Sequence, residues 1–136
     1  MVPTMTSTAF TSPTIVTYGI DADAASAEGK FLQLRLHGRE HLVFAAKHLD
    51  RFHNQILARF LAERGIVHRW SDEQSLEYDR NAVEIVGGGR FRFDTAANTL
   101  ALWDNSQAYG RFDSRNLDER IRAGNHRFAN LAVEIA

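Results

Sequence analysis

Hydrophobic and polar positions alternate most cleanly over Lys30–His37, where Leu32, Leu34 and Leu36 point one way and Gln33, Arg35 and His37 the other. That period of two predicts a strand. A tight turn at Gly38-Arg39-Glu40 returns the chain as a second strand over His41–Ala46, which makes a hairpin. The period then changes. At about 100° per residue, Leu49, Phe52, Ile56, Leu57, Phe60 and Leu61 gather on one arc, which predicts a helix over Leu49–Arg64 with Gly65 as its terminator. Shorter signals predict strands at Thr14–Tyr18, Ile66–Trp70 and Ala82–Val86, with Ser71–Asp79 a polar loop. Arg90–Asp94 and Leu100–Asp104 flank Thr95–Thr99 as another hairpin. Ser114–Ala123 reads as a shorter helix ended by Gly124, and Arg127–Ile135 as a closing strand. Strands with two interspersed helices argue for one sheet with helical cover.

Composition narrows the classes. At 136 residues the chain has the size of one domain, here residues 14–136 behind a Ser/Thr/Pro-rich stretch over residues 1–13 that reads as a poorly ordered tail. Sixteen basic and 17 acidic residues give a net charge of -1, so a sequence-independent grip on nucleic acid is not the first reading. No apolar run approaches the roughly 20 residues of a membrane span. The absence of cysteine removes disulfides, thiolate zinc sites and cysteine nucleophiles. With no basic start followed by an apolar block, a cytoplasmic protein is the default expectation.

Three places could carry chemistry. His53 falls inside the apolar arc of the long helix, so its ring is either a core histidine or a general base kept neutral by partial burial. Gly87-Gly88-Gly89 leads into Arg90. Three bare residues at a strand end suit either a bulge or close packing contact, or an anion approaching the backbone beside a guanidinium. No Gly-Lys-Ser/Thr follows, so this is not a P-loop, and the spacing is not that of the dinucleotide fingerprint. The polar loop Asn105-Ser106-Gln107-Ala108-Tyr109-Gly110 is either a connection or an anion-binding nest of successive amides. Lys30 alone would read as a solvated edge charge. His37, His41 and His48 could be imagined as a zinc site, but their spacing fits no ligand pattern and surface histidines are expected. Leu36-His37-Gly38 puts leucine where a histidine-phosphatase motif needs arginine. Phe91, Phe93 and Trp103 could stack RNA bases, yet their alternation is what a sheet face needs anyway.

Four segments taken together resemble the Janus/ocnus family of phosphohistidine phosphatases: Lys30-Phe31-Leu32-Gln33-Leu34-Arg35-Leu36, Phe52-His53-Asn54-Gln55-Ile56, Gly87-Gly88-Gly89-Arg90 and Ser106-Gln107-Ala108-Tyr109-Gly110. They occur in the family's order, from about Tyr18 onward. The resemblance implies an α/β fold, a single mixed sheet of about six strands flanked by two helices. It implies His53 as the catalytic proton acceptor, Lys30 and Arg90 as substrate-binding cations, and Ser106, Gln107 and Ala108 as the phosphate loop. Gly87, Gly88 and Gly89 would complete a backbone cradle. Asn54 stands where the family often has a small residue, and the link from Lys30 to the helix is short. The implied activity is metal-independent hydrolysis of a P–N bond, with no cofactor and a monomer favoured. Its partners would be phosphohistidine-bearing proteins, with phospholysine suited to the same site, and inorganic phosphate as product. A phosphate- or phosphoprotein-binding module without turnover is the alternative the same residues allow.

Overall fold

The alternation of the Lys30 hairpin builds the middle of the molecule. In the computed structural model, which describes residues 11–136, strands β1 (Thr14–Tyr18), β2 (Ser26–Leu36), β3 (Arg39–Ala46), β6 (Val83–Asp94), β7 (Thr99–Trp103) and β8 (Ala132–Ile135) form one six-stranded sheet. Its spatial order is β1-β3-β2-β6-β7-β8, antiparallel in the middle and parallel at both edges. Helix α1 (His53–Glu63) covers one face, and α2 (Leu117–Arg122), in the crossover between the parallel pair β7 and β8, lies on the other. The expected mixed sheet with two helices is therefore observed. A separate two-stranded sheet, β4 (His68–Trp70) with β5 (Leu76–Tyr78), was not expected: its second strand comes from the supposed polar loop, where Leu76 is buried with the α1 side chains.

Other boundaries also shift, for local reasons. The long helix starts at His53 rather than Leu49. Gln55 Oε1 accepts the backbone N–H groups of Arg51 and Phe52 at 2.9 and 3.2 Å, and Asp50 is taken up by Arg59, so the segment before Phe52 is stabilised as a turn. The first tight turn is His37-Gly38, both at positive φ (49° and 82°), a two-residue loop that suits the twist of a hairpin. The strand pieces on either side of the glycines are one strand, β6. It absorbs Val86 as a bulge where its pairing with β2 shifts between Gln33 and Leu34. The last helix and last strand are shorter than expected. Asp113 Oδ1 accepts the Arg115 N–H in a turn ahead of α2, and His126 Nδ1 accepts the Phe128 N–H in the turns that bury Phe128 before β8. Residues 1–10 of the expected tail lie outside the described residues; of its last positions, Pro13 is buried and Ser12 packs beside Gly124, so the fold begins before Thr14.

Two cores lie on the two faces. The α2 face holds Phe31, Phe44, Phe91, Phe93, Phe112 and Phe128, each at most 3% exposed. The α1 face packs Leu32, Leu34, Val43 and Ala45 against Ile56, Leu57, Phe60 and Leu61. His41, expected at the surface, is buried on this second face with its ring edge-on to Phe60, since the register sets it opposite Leu34. No helix among the described residues is long and apolar enough to cross a membrane.

Candidate functional site

His53 is the first residue of α1, and its ring is buried, only 4% of the residue remaining exposed. Nε2 lies 3.0 Å from the Gly89 carbonyl oxygen, which can only accept, so Nε2 carries the proton. In the neutral ring the lone pair then sits on Nδ1. Among the described residues the buried side-chain polar atoms without a partner are Glu119 Oε2 and His126 Nε2, so Nδ1 is not sealed away from the cleft that His53 lines. Burial above all holds the imidazole pKa below its ordinary value; the bond to the Gly89 carbonyl works against this, and the nearby Lys30 ammonium adds to the lowering. The N-terminal end of a helix also disfavours a cationic ring there. The ring is thus packed like a core residue and still opens onto a cleft.

The glycines explain how the ring can lie so close to the sheet. A Cβ on Gly88 would stand 2.6 Å from His53 Cδ2 and 2.8 Å from Nε2, so only a bare residue leaves room for the imidazole. Side chains at Gly87 and Gly89 would strike the Arg111 backbone and the Trp103 carbonyl, with the Phe112 ring also close to Gly89. Gly88 also spends its N–H on the Gly110 carbonyl and its carbonyl on the Phe112 N–H. The expected anion cradle at Gly87, Gly88 and Gly89 is therefore replaced by close packing: protein fills the space, and none of the three lines the cleft.

Lys30 and Arg90 face each other across β2 and β6, on the same side of the sheet as His53. The Lys30 ammonium donates to the Arg51 carbonyl at 2.7 Å, and burial first, then Arg90, lowers its pKa. Arg90 Nε lies 3.1 Å from Asp104 Oδ2. Sequence reasoning missed this carboxylate, although the expected Arg90–Asp94 and Leu100–Asp104 hairpin already puts the two residues at adjoining strand ends. Of the two cations, it is Lys30 whose charge helps to keep the imidazole neutral.

The loop after β7 is closed on itself. Ser106 and Gly110 exchange backbone hydrogen bonds of 2.9 and 2.8 Å, and the Tyr109 N–H donates to Ser106 Oγ at 3.1 Å. The Ser106 amide, expected to hold phosphate, is thereby committed, and Ser106 is buried. The amides of Gln107 and Ala108 meet no protein acceptor among the described residues. Neither do those of His53 and Asn54, as the start of a helix requires.

A cleft of about 790 Å³ brings Lys30, His53, Arg90, Ser106, Gln107 and Ala108 together. The N-terminal turn of α1 forms part of its wall, so the helix contributes unpaired N–H groups where an anion would be favoured. A further part of the wall is the β4–β5 turn, residues Glu73, Gln74 and Ser75, tied to α1 by Asn54 Nδ2 donating to the Gln74 carbonyl at 3.0 Å. No local pattern in the sequence announces that wall, because its position depends on a pairing between β4 and β5 that the supposed loop concealed. Chemically, the cleft offers an uncharged imidazole, two cationic side chains and free amides around a space open to water. Comparison with protein-family models and with curated proteins finds no match to this chain.

Proposed function

We propose that the chain is a metal-independent protein phosphohistidine phosphatase with a Janus/ocnus-like fold, hydrolysing the P–N bond of phosphohistidine. The observation that carries this reading is the meeting of His53, Lys30, Arg90 and the Gln107 and Ala108 amides in one cleft, although they are spread from residue 30 to residue 108 of the sequence. The phosphoryl oxygens are held by the loop amides and the α1 N-terminus, as oxyanion-hole donors hold developing charge. Lys30 and Arg90 offset the negative charge that repels an incoming nucleophile. His53 Nδ1 takes a proton from water as its oxygen bonds to phosphorus and the P–N bond breaks. Water is in sum added across that bond, giving inorganic phosphate and histidine. Such a base contributes on the order of 10²–10⁴ in rate.

The test is hydrolysis of free phosphohistidine by the wild type and by His53→Ala. The variant is expected to fall to near the uncatalysed rate with its fold intact, and a chelator to leave the wild-type rate unchanged. Equal activity in the variant removes His53 from the mechanism. Phosphate binding by the wild type without any hydrolysis selects the non-catalytic module.

A further inference from the structure

Beside the cleft lies a second hollow of about 430 Å³ that shares Lys30, Phe52 and Arg90 with it, so the two adjoin. Its charge is unusual for a chain that is balanced overall. Lys30, Lys47, Arg51 and Arg90 line it, against the carboxylates of Glu28 and Asp50. Asp50 is buried and held by Arg59 through two hydrogen bonds of 3.2 Å, and Arg90 is answered by Asp104. What remains is Lys30, Lys47 and Arg51 against Glu28. Among the described residues no carboxylate forms an ion pair with Lys47 or Arg51.

Phe52 stands at the junction. Its side chain is the most exposed of the phenylalanines among the described residues, and the residue is 49% exposed. It is held by the Lys30 ammonium at 5.6 Å and the Arg51 guanidinium at 5.8 Å from its ring centre. Trp103, the cross-strand partner of Arg90, also lines the hollow. An exposed aromatic flanked by cations without carboxylate partners adjoins the cleft, and such a surface complements an extended segment carrying carboxylates.

We propose, resting on the phosphatase reading above, that this groove docks the acidic polypeptide segment next to the phosphohistidine, so that the preferred substrates are phosphohistidine proteins with Asp or Glu beside the modified residue. Lys47 and Arg51 supply the selectivity; Arg51 also bears on the cleft, its carbonyl accepting from Lys30 and its charge acting on that ammonium, whereas Lys47 does not line the cleft.

The experiment compares four substrates: free phosphohistidine and three phosphohistidine peptides with acidic, neutral or basic flanks. The wild type is expected to prefer the acidic over the neutral peptide by about three- to tenfold in kcat/KM, the range of a few rim charge pairs, with the gap closing as salt is raised. Lys47→Glu, a change at a residue that does not line the cleft, is expected to erase or invert that order while leaving free phosphohistidine unchanged. Free phosphohistidine cleaved but the three peptides cleaved alike overturns the groove and spares the phosphatase reading. No cleavage of any substrate removes both. Competition by a single-stranded oligonucleotide, with none by an acidic peptide lacking phosphohistidine, gives the groove to nucleic acid and overturns the proposal.

Discussion

The two faces of the sheet are built from alternate residues of the same strands and are used for opposite purposes. On the α2 face, Phe31, Phe44 and Phe91 join Phe112 and Phe128 in a sealed aromatic cluster with ring centres 4.9–5.6 Å apart. On the α1 face the aliphatic packing of Leu32, Leu34 and Val43 stops at one end of the sheet, where Lys30, Gly88 and Arg90 take over. Each cation is the chain neighbour of a buried phenylalanine: Lys30 precedes Phe31, and Arg90 precedes Phe91. Because successive side chains point to opposite faces, the charged groups of the cleft are braced from behind by fully buried phenylalanines. The comparison teaches that burial and chemistry are here a matter of parity along a strand.

The sharpest way to break that comparison is Phe44→Ala. Phe44 is fully buried and touches Phe31, Phe91 and Phe128, so the variant should lose about 3–5 kcal/mol, read from denaturant unfolding. The fraction still folded should retain the wild-type KM; a large rise in KM would mean the two faces are not separable. Gly88→Ala comes next and acts on the other face. Its methyl group displaces the His53 ring and its bond to Gly89, and a shift of this kind costs about 10²-fold in kcat. Its stability loss should be smaller than that of Phe44→Ala, and the imidazole resonances in an NMR titration should move.

Acidity separates the faces in a third way. In the proposed mechanism His53 acts as the neutral base, and its folded pKa lies below the ordinary 6.5. Activity should therefore be fully present at pH 7 and fall only as pH drops through that lower value, by about tenfold per unit beyond it. A pH–rate profile with its acid limb at or above 6.5 contradicts this placement of the ring. Stability follows the same sign. His41, His53 and His126 are all shifted down by burial, so below pH 6.5 the unfolded chain binds more protons than the folded one. Their contribution is whole above that pH and is lost as pH falls through the folded values.

Much of this was legible from periodicity alone. The Lys30 hairpin, the arc of α1 from His53 to Leu61 and the hairpin bearing Arg90 are set by local alternation, and they already put Lys30 and Arg90 on strands of one sheet. What the pattern could not show depends on long-range pairing or on groups satisfied elsewhere. Gln55 shortens α1 by accepting two N–H groups, Ser106 loses its amide to Gly110, and the β4–β5 turn becomes a wall through Asn54. The glycines are the most instructive case. Their bareness marked a close approach, but the approaching group is His53 itself, and nothing in the glycines says which part of the chain will come near.

The smallest expected effect concerns Asp104, the acid at the open end of the α1 face. It sits at φ 70°, in the left-handed region that Asn also tolerates, so Asp104→Asn should keep the turn while removing the charge. Two consequences oppose each other. Arg90 loses an ionic partner that orients it, which weakens phosphate binding; the cleft loses a carboxylate that repels a dianion, which strengthens it. The side chain of Arg90 is 55% exposed, so the pair itself is worth little, whereas the bound dianion would meet the freed guanidinium directly. The repulsion wins, and inorganic phosphate should bind about two- to fivefold more tightly, as measured by calorimetry. The same carboxylate raises the imidazole pKa, so the acid limb should move to still lower pH in the variant. Tighter phosphate binding with an unmoved limb would place Asp104 near Arg90 but out of reach of His53. A limb moving upward would mean that burial and Lys30 no longer govern the ring.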